Sequence, residues 1–185
     1  MTPDQLAAQA TTILADLIAI DTTSRESNLD LIAYAEQYLG RIGVTGRRVF
    51  NDDGRKANYY ATVGPMEPGG VVLSGHSDVV PVDGQPWTSD PWQLTRRGER
   101  LFGRGTCDMK GFLALSLALA PHVARNGAVR PLHLAFSYDE EVGCLGAPSM
   151  IAEIAREVPS PPPSWWASRP RWWWSAAIRG SRPGS

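Results

Sequence analysis

Three short stretches of this 185-residue chain concentrate side chains that can hold a cation or move a proton. The first is Ser74-Gly75-His76-Ser77-Asp78-Val79-Val80-Pro81. His76 follows the apolar run Val71-Val72-Leu73 and so stands at the carboxyl end of a predicted strand. Residues i and i+2 of extended backbone share a face, so Asp78 is placed to approach the imidazole from behind. A carboxylate on one ring nitrogen fixes the tautomer and leaves the other free for a metal. The plainer reading of an isolated His-x-Asp is a satisfied polar histidine beside a turn-capping aspartate. The second stretch is Gly103-Arg104-Gly105-Thr106-Cys107-Asp108-Met109-Lys110-Gly111. Glycines on both sides of Asp108 let the backbone pass close to something and take unusual dihedrals, whereas a simple N-cap of the helix that follows would not need them. The third, Tyr138-Asp139-Glu140-Glu141-Val142-Gly143, puts three acids in a row after a predicted strand. Adjacent carboxylates repel unless cations or water relieve them. Alone, this is an exposed acidic loop. With a metal, one acid ligates and its neighbour handles protons for an attacking water. Jointly the stretches supply one histidine and several carboxylates, a ligand set suited to zinc or a similar divalent ion.

The elements that must position these groups can be read from periodicity. Thr2-Pro3-Asp4-Gln5 is a capping box with proline at the first helical position, and Leu6, Ile13, Leu14, Leu17 and Ile20 continue at helical spacing. Ser27 or Asn28 caps a second helix ending at Gly40. Val44–Phe50 and Asn58–Val63 read as strands around a turn at Asp52-Asp53-Gly54. The run 71–73 suits a buried central strand. Residues 93–95 and 100–102 suit a hairpin around Arg97-Gly98. Gly111–Val123 reads as a long apolar helix buried on most faces, Pro131–Tyr138 as a strand and Ala147–Arg156 as a short helix. Strands alternating with helices predict an α/β domain with a largely parallel sheet flanked by helices, and ligands of such sheets bind at the carboxyl ends of the strands.

Composition excludes some roles. Hydrophobic residues make up 43% and charged residues 20%, as in an ordinary globular protein. A formal net charge of −1 gives no surface for a polyanion, so nucleic acid is not an expected partner. No leader or membrane-spanning run is evident, so no membrane partner and a cytoplasmic location are expected. Cys107 and Cys144 are expected reduced there, Cys107 as a small buried residue. The 18 basic residues comprise 16 Arg and only Lys56 and Lys110. Residues 158–185 differ in kind: they hold Pro161-Pro162-Pro163, Trp165-Trp166 and Trp172-Trp173-Trp174, with four Arg and no acid. Stacked indoles are hard to pack, so this tail reads as disordered or as the out-of-frame product of a GC-rich gene. Residues 1–157 form the other expected unit.

The motifs quoted above, with Ser24-Arg25-Glu26-Ser27-Asn28-Leu29 and Lys56-Ala57-Asn58, resemble the acetylornithine deacetylase branch of the M20 metallopeptidase family, in order, over residues 3–157. The resemblance implies two divalent ions, zinc or alternatively cobalt. It implies that His76 ligates one, Asp108 bridges both, Glu141 ligates the second, Glu140 is the general base and acid, and Asp78 orients His76. The implied substrate is a small N-acetylated amino acid, N2-acetyl-L-ornithine, hydrolysed to ornithine and acetate in arginine biosynthesis. Succinyl-diaminopimelate desuccinylase and carboxypeptidase-like relatives share these motifs and are the alternatives within the class. The family's further acidic ligand, its late histidine ligand and its lid and dimerisation domain have no match here. Full-length relatives are expected to be homodimers. This chain is expected to be incomplete as a catalyst, either inactive or persisting as a binding module, with one sheet edge and one core face uncovered.

Overall fold

The computed structural model describes residues 2–157, and the tail at 158–185 lies outside the described residues. Ten elements follow in order: α1 (Pro3–Ile18), α2 (Leu29–Gly40), β1 (Gly46–Phe50), β2 (Ala57–Val63), β3 (Val71–His76), β4 (Thr95–Arg97), β5 (Arg100–Phe102), α3 (Lys110–Arg125), β6 (Leu132–Ser137) and α4 (Ala147–Glu157). The Thr2 capping box forms as its sequence predicts, with the Gln5 amide donating to Thr2 Oγ1 and the Thr2 amide to Gln5 Oε1. No helix among the described residues is long and apolar enough to cross a membrane.

The fold is α/β, as expected, but its sheet is mixed. The order is β1-β2-β6-β3, and of its three pairings only β3–β6 is parallel. The physical reason lies in the connections. The turn after Phe50 is tight, with the Asn51 amide donating to the Lys56 carbonyl at 3.0 Å, and it forces β1 and β2 antiparallel. The β3–β6 link carries a whole helix and can therefore return parallel.

A second correction concerns β3. It is an edge strand among the described residues rather than a central one, and Val71 and Val72 are 55% and 50% exposed. An apolar β-branched run marks a strand suited to burial, but what covers its open side is not written in the run itself.

Along β6 the side chains alternate. Leu132, Leu134 and Phe136 face the main core, where they meet Leu17 and Ile18 of α1, Leu31 of α2, Tyr59 of β2, and Leu113 and Leu117 of α3. Ala135 faces the other way, against Tyr60 and Met150 of α4. β6 is thus buried on both faces, and the candidate site hangs from its end.

Candidate metal centre

β3 and β6 run parallel with His76 opposite Ser137, so the residues following each strand emerge at one end of the sheet. Ser77-Asp78 leave one strand there and Tyr138-Asp139-Glu140-Glu141 leave the other. α3 runs back across the sheet, so its N-terminus, which carries Asp108, returns to that same end. Close packing makes this possible. A Cβ on Gly75 would come within 2.9 Å of both Leu113 Cδ2 and Met109 Cε. A Cβ on Gly111 would collide with the Thr106 carbonyl, and Gly105 holds a left-handed φ of +83°. These glycines allow Asp108 to sit beside His76. Asp108 is not the helix cap: the N-cap position is Met109, and no side chain caps it.

His76 is buried, and its Nε2 lies 3.0 Å from Asp108 Oδ1 and 3.8 Å from Glu140 Oε2. One donor atom each from His76, Glu140 and Glu141 lies within 4.8 Å of the others. On the far side of the ring, Nδ1 lies 2.9 Å from the Asp78 main-chain carbonyl and 3.6 Å from the Asp78 carboxylate. The approach from behind therefore comes mainly through the backbone. The carboxylate is occupied otherwise: Ser24 Oγ donates to Oδ2 at 2.6 Å, the Glu140 amide to Oδ1 at 3.0 Å and the Glu141 amide to Oδ2 at 3.2 Å. Asp78 thus ties three segments together behind the imidazole. The Nδ1 contact to a carbonyl requires Nδ1–H, the tautomer that leaves Nε2 for a ligand.

Without a cation, the same surroundings put a proton on Nε2 as well, the place a metal would take. Burial pushes the His76 imidazole down, but hydrogen bonds to Asp78 and Asp108 outweigh it and hold the pKa up at about 9. Burial raises Asp78, yet bonds from His76, Ser24 and the Glu140 amide more than offset this and hold it below the ordinary carboxylate range. Burial raises Glu141; His76 opposes that, while Asp108, Asp78 and Glu140 add to it. Among the described residues, His76 is the sole cationic partner of Asp108 and Glu140, and Glu141 has no ion pair. One imidazole with Glu140 and Glu141 gathered beside it and Asp108 on its Nε2, none of the three acids with a Lys or Arg partner among the described residues, fits a divalent cation by donor chemistry.

The other histidines stand apart. His133 Nδ1 contacts Thr62 Oγ1 at 2.9 Å on the sheet face away from the main core, and His122 accepts at its carbonyl from Asn126, the C-cap of α3. Cys107 is exposed, not buried as expected, because the loop that brings Asp108 to His76 turns its neighbour outward; Cys144 is also exposed and free.

Sequence reasoning passed over the groups that brace the site. Asn28 spans two segments, donating from Nδ2 to the Ala57 carbonyl and to Ser77 Oγ, both at 2.8 Å. Lys110 is fully buried and donates to the carbonyls of Leu17 and Ile20 at 2.9 and 2.7 Å, closing the end of α1. Burial lowers its pKa to about 7. The available signal was the pair of lysines in an arginine-rich chain, together with motif positions that had been given no role.

An α/β sheet with an imidazole and carboxylates gathered at its carboxyl end defines a class of metal-site domains. A family model for peptidase family M20/M25/M40 matches residues 72–173, and the chain belongs to that family. The acetylornithine deacetylase of Myxococcus xanthus is 41% identical over 143 residues, covering 75% of this chain and 37% of that protein. That of Photorhabdus laumondii is 39% identical over 131 residues, covering 70% and 34%. The chain therefore spans about a third of the length of these curated relatives. Among solved structures, the M20 metallo-carboxypeptidase Sso-CP2 of Sulfolobus solfataricus matches with a TM-score of 0.70 at 21% identity, over 81% of this chain and 35% of that one. Human carnosine dipeptidase 1 matches with a TM-score of 0.68 at 24% identity, over 82% and 36%. These likenesses show the shared fold.

Proposed function

We propose that this chain carries part of the centre of a metal-dependent amidohydrolase that removes the acetyl group from N2-acetyl-L-ornithine, in the cytoplasm and in the service of arginine synthesis. The observation that carries this reading is the meeting of His76, Asp108, Glu140 and Glu141 at one sheet end, with Nε2 turned toward the carboxylates. The curated relatives support acetylornithine as the substrate over succinylated analogues.

His76, Asp108 and Glu141 are the residues to hold divalent ions, zinc by the softness of the imidazole and cobalt as the substitute. When bound, such ions polarise an amide carbonyl and acidify water. The protein's own groups do the rest. Asp78 fixes the ring of His76, and the Asp78 carboxylate pins the amides of Glu140 and Glu141. In this reading Glu140, half-exposed at the mouth of the cluster, takes a proton from attacking water and returns it to the departing amine, a role its nearness to His76 supports.

Residues 1–157 serve as the amino-terminal part of the catalytic domain in this reading. Among the described residues, three ligands, His76, Asp108 and Glu141, must serve two ions, fewer than such sites use, so in this reading turnover by this chain alone is negligible. The test is a pair of measurements. Calorimetric titration with zinc or cobalt should show binding that is lost in His76→Ala. Assay of ornithine release by the metal-loaded chain should show none. Turnover within the ordinary enzyme range of roughly 1–10³ per second would refute the inactivity, and absence of any metal binding would refute the site.

A further inference from the structure

Lys56 and Asp139 form a part-buried pair that the proposed chemistry does not use. Lys56 Nζ donates to Asp139 Oδ1 at 2.6 Å and also to the Ser24 carbonyl, with both side chains largely shielded. Its position follows from the fold. β2 is antiparallel to β6, so the start of β2 lies beside the end of β6, where the acidic loop begins. The same strand start sends Asn58 into the base of that loop: the Tyr138 amide donates to Asn58 Oδ1, and Asn58 Nδ2 donates to the Gly146 carbonyl at 2.9 Å.

Deepening the metal-centre reading and resting on it, we propose that Lys56 is a positioning residue that sets the Glu140–Glu141 carboxylates by clamping the two segments that converge on Asp78. One arm holds Ser24, whose hydroxyl donates to Asp78. The other holds Asp139, the residue immediately before Glu140, in a left-handed conformation with φ of +55°. Such a φ is uncommon for a non-glycine residue, though aspartate tolerates it better than most, and a fixed partner for the side chain helps to hold it. The ion pair supplies that hold. It aims the next two amides at Asp78 and so turns the side chains of Glu140 and Glu141 toward His76. Lys56 also neutralises the one acid of the run that does not face the cluster, leaving the charge at the site for a cation.

The choice of lysine fits the job. The chain uses 16 arginines and two lysines. Here one compact ammonium must reach a carboxylate and a backbone carbonyl from different segments, a tetrahedral arrangement that a planar guanidinium does not copy.

The experiment uses the 185-residue chain, with Lys56→Met, Lys56→Arg, Asp139→Asn and the Lys56→Met/Asp139→Asn double variant. Amide hydrogen exchange at Glu140 and Glu141, read without metal, should rise by about 10-fold or more in Lys56→Met while the β2–β6 ladder amides keep their protection. Cobalt affinity per folded molecule should fall by roughly 10-fold or more. Lys56→Arg should restore only part of either property. The double variant should lose no more than the worse single variant, since both act through one contact. Unchanged exchange at Glu140 and Glu141, or a uniform rise across the sheet, would overturn the clamp. A wild-type chain that binds no cobalt removes the metal reading, and the exchange measurement then decides the clamp by itself. Should Lys56→Met fail to fold, the isosteric Asp139→Asn variant carries both measurements.

Discussion

Two aspartates meet the same histidine from opposite sides, and they live in different environments. Asp78 is buried and accepts from a hydroxyl and two amides. The Asp108 side chain is 75% exposed, and its one partner among the described residues is His76. The back of the site is a finished hydrogen-bond network, and the front is an open set of acceptors. A carboxylate that accepts three hydrogen bonds serves the architecture, and one left facing an imidazole is available to a ligand.

Breaking the back should therefore cost stability, and breaking the front should cost binding. The largest effect is expected from Asp78→Ala, which leaves the Glu140 and Glu141 amides and the Ser24 hydroxyl without an acceptor. Denaturant unfolding in chelator should show a loss on the order of 3 kcal/mol. Asp108→Asn should change that stability by less than about 0.5 kcal/mol. A ligand at about 100 times its Kd stabilises a folded protein by about 2.7 kcal/mol. Zinc should give wild type such an increment, and Asp108→Asn should lose most of it. Equal stability losses in the two variants would erase the distinction between back and front.

The pH dependence sharpens the same contrast at the ring between them. Without metal, His76 has a folded pKa of about 9 against an ordinary 6.5. The folded chain therefore keeps a proton that the unfolded chain has already lost between those values. The stabilisation is complete below about pH 6.5 and disappears as pH rises through 9, an effect on the order of 3 kcal/mol. Lys110 acts in the opposite sense: with its pKa lowered to about 7 from 10.5, stability rises with pH across that interval. The difference between wild type and His76→Ala isolates the histidine contribution, and it should shrink as pH rises from 6.5 to 9. A constant difference would show that the imidazole is not held as an imidazolium.

The smallest effect on stability is expected at the opposite end of β3, where Val71 and Val72 stand exposed on a strand that is an edge among the described residues. Val72→Lys should move unfolding by less than about 0.5 kcal/mol, yet reduce self-association in sedimentation measurements, because a charge on an open edge disfavours strand pairing between copies.

Much of this could be read from the chain alone. The Thr2 capping box, the helical spacing of Leu14 and Leu17, the turn at Asp53-Gly54 and the alternation along Leu132–Ser137 are local patterns, and local patterns specify local structure. The three chemical stretches were legible for the same reason, since the chemistry of a histidine or a carboxylate is a property of its type. Tertiary structure decided what depends on neighbours: that β3 lies at an edge, that two of the three sheet pairings are antiparallel, and that Cys107 faces solvent. It also decided that the Asp78 carboxylate holds Ser24 and two amides while its carbonyl holds the ring, and that Lys56 and Lys110 brace the site from behind. Those outcomes rest on contacts between segments far apart in sequence, such as Lys56 with Asp139 and Lys110 with Leu17. The identity of a residue states which bonds it can make, and only the packed fold selects the partner.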